Sequence, residues 1–184
     1  MRLSDSEYEF LKESVVDLFK AYNIRGFPLD PFELAEKMNI RCIPYRDLSK
    51  KARTEALEYS EDGCSLEKLN CEWVIYYNDE FSRGTINNIL MHEIAHYWLG
   101  HTGAKENEER EESEASFFAK YALTPPVIAN RLLNSFEDRD FKDRFELSWA
   151  GAKGAREYYE SWLNCSRIEL TDYEIDLLTL NGLE

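Results

Sequence analysis

Every histidine in the chain falls in one stretch, Met91-His92-Glu93-Ile94-Ala95-His96-Tyr97-Trp98-Leu99-Gly100-His101. His92 and His96 are four residues apart, which on a helix puts them on one face a turn apart. Two imidazoles placed that way can grip one Zn²⁺ at about 2.0–2.1 Å each. Glu93 is close enough to reach a water on that metal. Coordination lowers the water's pKa to roughly 7, and a carboxylate that takes the proton leaves a hydroxide nucleophile. His-Glu-x-x-His is therefore the spacing that metal-assisted hydrolysis requires.

These residues need a helix with a buried side. Ile86, Ile89, Leu90, Glu93, Ile94 and Tyr97 follow the i, i+3, i+4, i+7 pattern. Glu93 thus falls on an otherwise apolar face, where an unpaired charge is costly. Ser82 or Thr85 can cap the start of this helix and Gly100 can end it.

A catalytic zinc normally has three protein ligands and one open position. His101 lies five residues after His96, whereas metzincins place their third His six after the second, with a Gly three after it. Gly100 is four after His96, so that pattern fails. The other standard ligand is a carboxylate from a downstream helix, and the stretch from Glu106 to Leu123 offers several. Ala115, Phe117, Phe118, Tyr121 and Ala122 define one apolar arc of that helix. Glu114 and Glu111 lie inside the arc, whereas Glu109 and Glu112 fall on the opposite, solvated side. This geometry selects Glu114 as the third ligand, with Glu111 next.

Together, Arg83…His92-Glu93-Ile94-Ala95-His96 and Glu114-Ala115-x-x-Phe118-Ala119-x-x-Ala122-Leu123-x-Pro125 resemble the ImmA/IrrE-type metallopeptidases. These are intracellular zinc enzymes often carried by phages and mobile elements, and known members act on helix-turn-helix repressors. The resemblance extends from about Pro28 to Tyr158. It takes in Asp30-Pro31-Phe32-Glu33-Leu34-Ala35-Glu36 and Phe145-Glu146-Leu147-Ser148, followed by Ala152 and Arg156. Leu123-Thr124-Pro125 departs from the usual Leu-Met-Pro. The resemblance implies that the Glu of the Glu-Ala pair, here Glu114, is the third zinc ligand.

The expected cofactor is Zn²⁺ on His92, His96 and Glu114, with Glu93 as the catalytic base. His101, Tyr97 and Arg83 are candidates for contacts to substrate or transition state. His101 can alternatively end its helix by bonding free carbonyls. The expected activity is zinc-dependent cleavage of a protein, a phage or mobile-element repressor of the helix-turn-helix type. The alternative is a non-catalytic regulator on the same zincin fold that displaces the repressor uncut. Binding alone needs no Glu93.

The chain has 184 residues and a net charge of −14. That length gives one domain with room for a real core. We divide it into an N-terminal helix over 1–27, a zincin-like core over 28–163 and a C-terminal tail over 164–184. The acidic balance argues against nucleic acid as a direct partner and suits a basic protein, besides favouring solubility. No apolar run reaches the 18 or more residues of a membrane helix, and Met1-Arg2-Leu3-Ser4-Asp5-Ser6-Glu7 lacks a signal core. A cytoplasmic location follows as an expectation. Cys42, Cys64, Cys71 and Cys165 form no Cys-x-x-Cys pair and are expected to be free thiols.

The expected fold is α+β and zincin-like, a small sheet followed by a helical half that carries the His-Glu-x-x-His helix. Residues 6–21 read as an amphipathic helix with Phe10, Leu11, Val15, Leu18 and Phe19 inward. Asp30-Pro31 starts a helix that runs to about Met38. Ile40–Tyr45 reads as an edge strand because of Pro44. Thr54–Tyr59 is assigned a second strand, followed by a turn at Glu61-Asp62-Gly63. Glu72–Asn78 is the clearest strand. By analogy with zincin peptidases, one strand of this sheet binds substrate as an added β-strand. Beyond Pro125-Pro126, helices are expected over 126–136, 141–147 and 149–163, with a last one starting near Leu170. Their mixed charges argue against a DNA-reading helix pair.

Overall fold

The computed structural model describes residues 2–69, 72–105, 107–165 and 169–183. Cys71 and Glu106, named above, lie outside them. Ser4 starts α1 (Asp5–Ala21) with a capping box: its hydroxyl accepts from the Glu7 amide, and Glu7 reaches back to the Ser4 N–H. Leu11, Val15, Leu18 and Phe19 are buried as the periodicity requires, whereas Phe10 is exposed. Asp30 caps α2 (Pro31–Lys37) through the Phe32 N–H at 2.9 Å.

The sheet has three strands in the order β1-β3-β2, with β1 (Arg41–Pro44), β2 (Gly63–Glu67) and β3 (Trp73–Tyr77). β1 runs parallel to β3, with Cys42 opposite Ile75, and Pro44 sits on an edge strand as expected. β2 pairs antiparallel to β3, with Ser65 opposite Ile75, and forms the other edge. Thr54–Tyr59 is not a strand. It belongs to α3 (Lys50–Tyr59), capped by Ser49. Its Lys, Arg, Ala, Glu and Leu residues are strong helix formers, and they outweigh Thr54 and Tyr59.

β3 leads into α4 (Arg83–Leu99), which starts at Ser82 and ends at Gly100 in the left-handed region, φ 69°. α5 (Glu108–Leu123) packs along α4. Its Ala115, Ala119 and Ala122 are fully buried, so the two helices can approach closely. α6 (Pro126–Leu132), α7 (Asp138–Phe145), α8 (Trp149–Asn164) and α9 (Asp172–Leu180) complete the chain. One apolar cluster runs through the fold, from Leu11 and Phe19 on α1, through Leu90 and Ile94 on α4 and Phe118 on α5, to Leu177 on α9. No helix among the described residues is long and apolar enough to cross a membrane. Cys42 and Cys64 are half-buried free thiols, and Cys165 is an exposed one.

The first turn of α4 touches the α7–α8 connection. A Cβ on Gly84 would lie 2.2 Å from the Leu147 carbonyl carbon and 2.3 Å from the Ser148 nitrogen. These are backbone atoms and cannot rotate away. Gly84→Ala is therefore expected to cost about 3 kcal/mol or more, seen as a lower urea midpoint with an unchanged slope. An unfolding curve that matches wild type would contradict this close approach.

Candidate metal centre and active site

α4 presents His92 and His96 into a cleft of about 730 Å³. Gly63, Cys64 and Ser65 of β2, with Trp73 of β3, line one side; Thr102, Gly103, Glu108 and Glu112 line the other. The Nε2 atoms of His92 and His96 are 3.0 Å apart. The two oxygens of Glu112 lie 3.2 Å from His92 Nε2 and 3.3 Å from His96 Nε2. Ligands at about 2.0–2.1 Å around a tetrahedral zinc are separated by about 3.3 Å. Three donors already at that spacing, two imidazole and one carboxylate, fit one such ion. Among the described residues they form the one group of His, Cys, Asp or Glu close enough to share a metal.

Burial holds both imidazoles below the ordinary histidine range, against the opposing pull of nearby carboxylates. Their lone pairs are thus available to a metal at neutral pH. Glu93, only 9 % exposed, is pushed above the usual carboxylate range by burial. The Ser65 hydroxyl and N–H hydrogen-bond to it and oppose that push. A carboxyl so raised is better matched to receiving a proton and returning it near neutral pH.

The family model for the IrrE N-terminal-like domain, Peptidase M78, matches residues 48–150. This is more than half of the 184-residue chain. The chain belongs to the ImmA/IrrE family. No curated protein matched the sequence. The family is of metallopeptidase type, in keeping with the His-His-Glu group. The matched span holds α3 to α7 and every residue of the cleft just described.

In this ImmA/IrrE chain the structure brings His92, Glu93 and His96 together but does not add Glu114 to them. Glu114 Oε2 lies 3.0 Å from His101 Nε2, and its Oε1 accepts from Arg110 Nε at 2.9 Å. The carboxylate beside the two histidines is Glu112. The helical-face reading judged exposure correctly: the Glu112 side chain is 56 % exposed and that of Glu114 16 %. Glu112, on the more exposed side of α5, is the one that borders the cleft, and Glu114 faces His101 instead. Glu111 is also committed elsewhere, accepting from the Thr102 N–H at 3.1 Å and the Gly103 N–H at 2.9 Å.

Of the three residues expected to touch substrate or transition state, only His101 lines the cleft. Both its ring nitrogens are engaged, by His96 and by Glu114. Arg83 pairs with Asp30 at 3.0 Å and lies over the Phe32 ring, about nine residues and 13 Å along the helix from His92. It fastens α4 to α2. Tyr97 packs its ring 5.2 Å from that of Trp73. Ser65 was not anticipated. A lone serine in a polar stretch carries no sequence signal, and its role follows from the pairing of β2 with β3. Glu112 had one signal: it stands three and seven residues before Ala115 and Ala119, on the small-residue stripe that lets α5 approach a neighbour.

Proposed function

We propose that this chain is a cytoplasmic, zinc-dependent endopeptidase with a zincin-like core, and that its substrate is a helix-turn-helix repressor of a phage or mobile element. The observation that carries the reading is the tetrahedral spacing of His92, His96 and Glu112 beside a buried, proton-accepting Glu93. When bound, zinc polarises the scissile carbonyl and acidifies water.

The chain's own residues supply the rest. Glu93 accepts the proton of the attacking water and returns it to the leaving amine. Ser65 holds the Glu93 carboxylate in place. An extended substrate segment adds to the outer edge of β2, the strand that both lines the cleft and carries Ser65. The acidic residues of the cleft wall outside the metal group, Asp62 and Glu108, favour a basic segment, as does the overall charge of −14.

The test is incubation of zinc-loaded protein with the purified repressor encoded nearest its gene. Discrete repressor fragments are expected. They should vanish with a zinc chelator and return when zinc is restored. A repressor that stays intact with fully loaded protein would sink the proposal.

A further inference from the structure

We infer that His101 and Glu114 act as a positioning pair that fixes the tautomer of His96, keeping its proton on Nδ1 so that Nε2 presents a lone pair to the metal. This rests on the metal reading above, but its first observable belongs to the metal-free protein.

The geometry begins in the backbone. Gly100, in the left-handed conformation, donates its N–H to the Tyr97 carbonyl at 3.2 Å, and the His101 N–H reaches the His96 carbonyl at 3.0 Å. These are the two bonds of a Schellman ending, which brings the residue after the glycine back over the third residue from the helix end. The His96–His101 separation that rules out a metzincin ligand is the separation this ending demands. An apolar contact commonly closes such a motif. Here two imidazoles close it, with His101 Nδ1 2.9 Å from His96 Nδ1.

The direction of that hydrogen bond follows from Glu114. His101 Nε2 lies 3.0 Å from Glu114 Oε2. An ionised carboxylate only accepts, so in a neutral His101 Nε2 carries the single proton and Nδ1 is a bare acceptor. His96 must then donate from Nδ1. Its remaining nitrogen, Nε2, is the one that faces His92 and Glu112. Glu114 is held in turn by Arg110 Nε, and Arg110 reaches Glu7 at 3.1 Å. The His101 side chain is only 6 % exposed, so water does not readily replace it. In metal sites generally, an outer partner on the second ring nitrogen sets ligand orientation, and its loss lowers metal affinity by about 10–100-fold.

The test uses the full chain with ¹⁵N-labelled histidine. Long-range ¹H–¹⁵N spectra of metal-free wild type at mildly alkaline pH should show His96 protonated on Nδ1. In His101→Phe the acceptor is gone, and the proton should move to Nε2. His101→Gln restores an acceptor and should restore the Nδ1 form. Zinc affinity, read by chelator competition, should fall by about 10–100-fold in His101→Phe and recover in His101→Gln. Glu114→Gln keeps the volume but loses the charge that dictates direction. It should give mixed tautomers and weaker zinc binding, and it carries the test if His101→Phe fails to fold. An Nδ1 proton on His96 in both His101→Phe and Glu114→Gln, with zinc affinity unmoved, would overturn the pair. If wild type takes up no zinc, the metal reading falls and the spectra alone judge the pair. If zinc binding is lost in His92→Ala but untouched by the two variants, only the pair falls.

Discussion

Glu93→Gln is expected to retain one zinc per chain while lowering repressor cleavage by about 10²–10⁴-fold, the share that general acid–base catalysis supplies. Gln has the size of Glu and can accept hydrogen bonds through its amide oxygen, so the Ser65 contacts survive in part. It cannot take a proton from water. Glu93 also stands outside the His92–His96–Glu112 group, so metal content should not change. Substrate should still bind and become easier to trap. The readout is a gel of repressor fragments beside a DNA-release assay, with zinc measured by elemental analysis. Full release of repressor by Glu93→Gln, with no fragments from wild type, would favour the regulator that displaces without cutting. Loss of zinc in Glu93→Gln would instead make Glu93 a ligand.

Glu112→Gln is expected to weaken zinc binding by more than the roughly 10–100-fold that an outer-shell change costs, because it removes an anionic donor from the metal itself. Glu114→Gln should fall within that outer-shell range. Chelator competition on the two variants ranks them directly. An amide at position 112 still has an oxygen, but without the charge that offsets the dication. If Glu114→Gln proves the more damaging, the third ligand is Glu114 and the arrangement around Glu112 rearranges when metal enters. A zinc stoichiometry that survives both His92→Ala and His96→Ala would remove the site altogether.

The centre of the site was legible because local physics dictates it. His-Glu-x-x-His has a fixed geometry once helical, and Ser82 and Gly100 bound that helix by capping chemistry alone. β3 was legible from its run of Trp, Val, Ile and Tyr. Three features depended on contacts between distant segments. β2 is a short strand of mixed polarity whose extended form comes from pairing with β3. Ser65 reaches Glu93 only because of that pairing. Glu111, Glu112 and Glu114 are alike in sequence, and their surroundings diverge according to what lies opposite each: a loop, the pair His92 and His96, and the His101 imidazole. A helical wheel separates buried from exposed positions, but it does not say that an exposed side borders an active cleft.

The stretch that the family model covers begins at residue 48, yet α5 leans on a helix well outside it. Tyr8 of α1 packs edge-on against Phe117 of α5, with ring centres 4.6 Å apart, and Glu7 pairs with Arg110. Trp98 of α4 donates its indole N–H to Ser14. The helices that carry the candidate ligands are therefore braced by residues that the family pattern leaves unspecified. Inheritance can vary such a brace while every ligand stays in place. Divergence in α1 would then retune the tilt of α5, and with it the seat of Glu112, without leaving a mark in the motif by which the family is known.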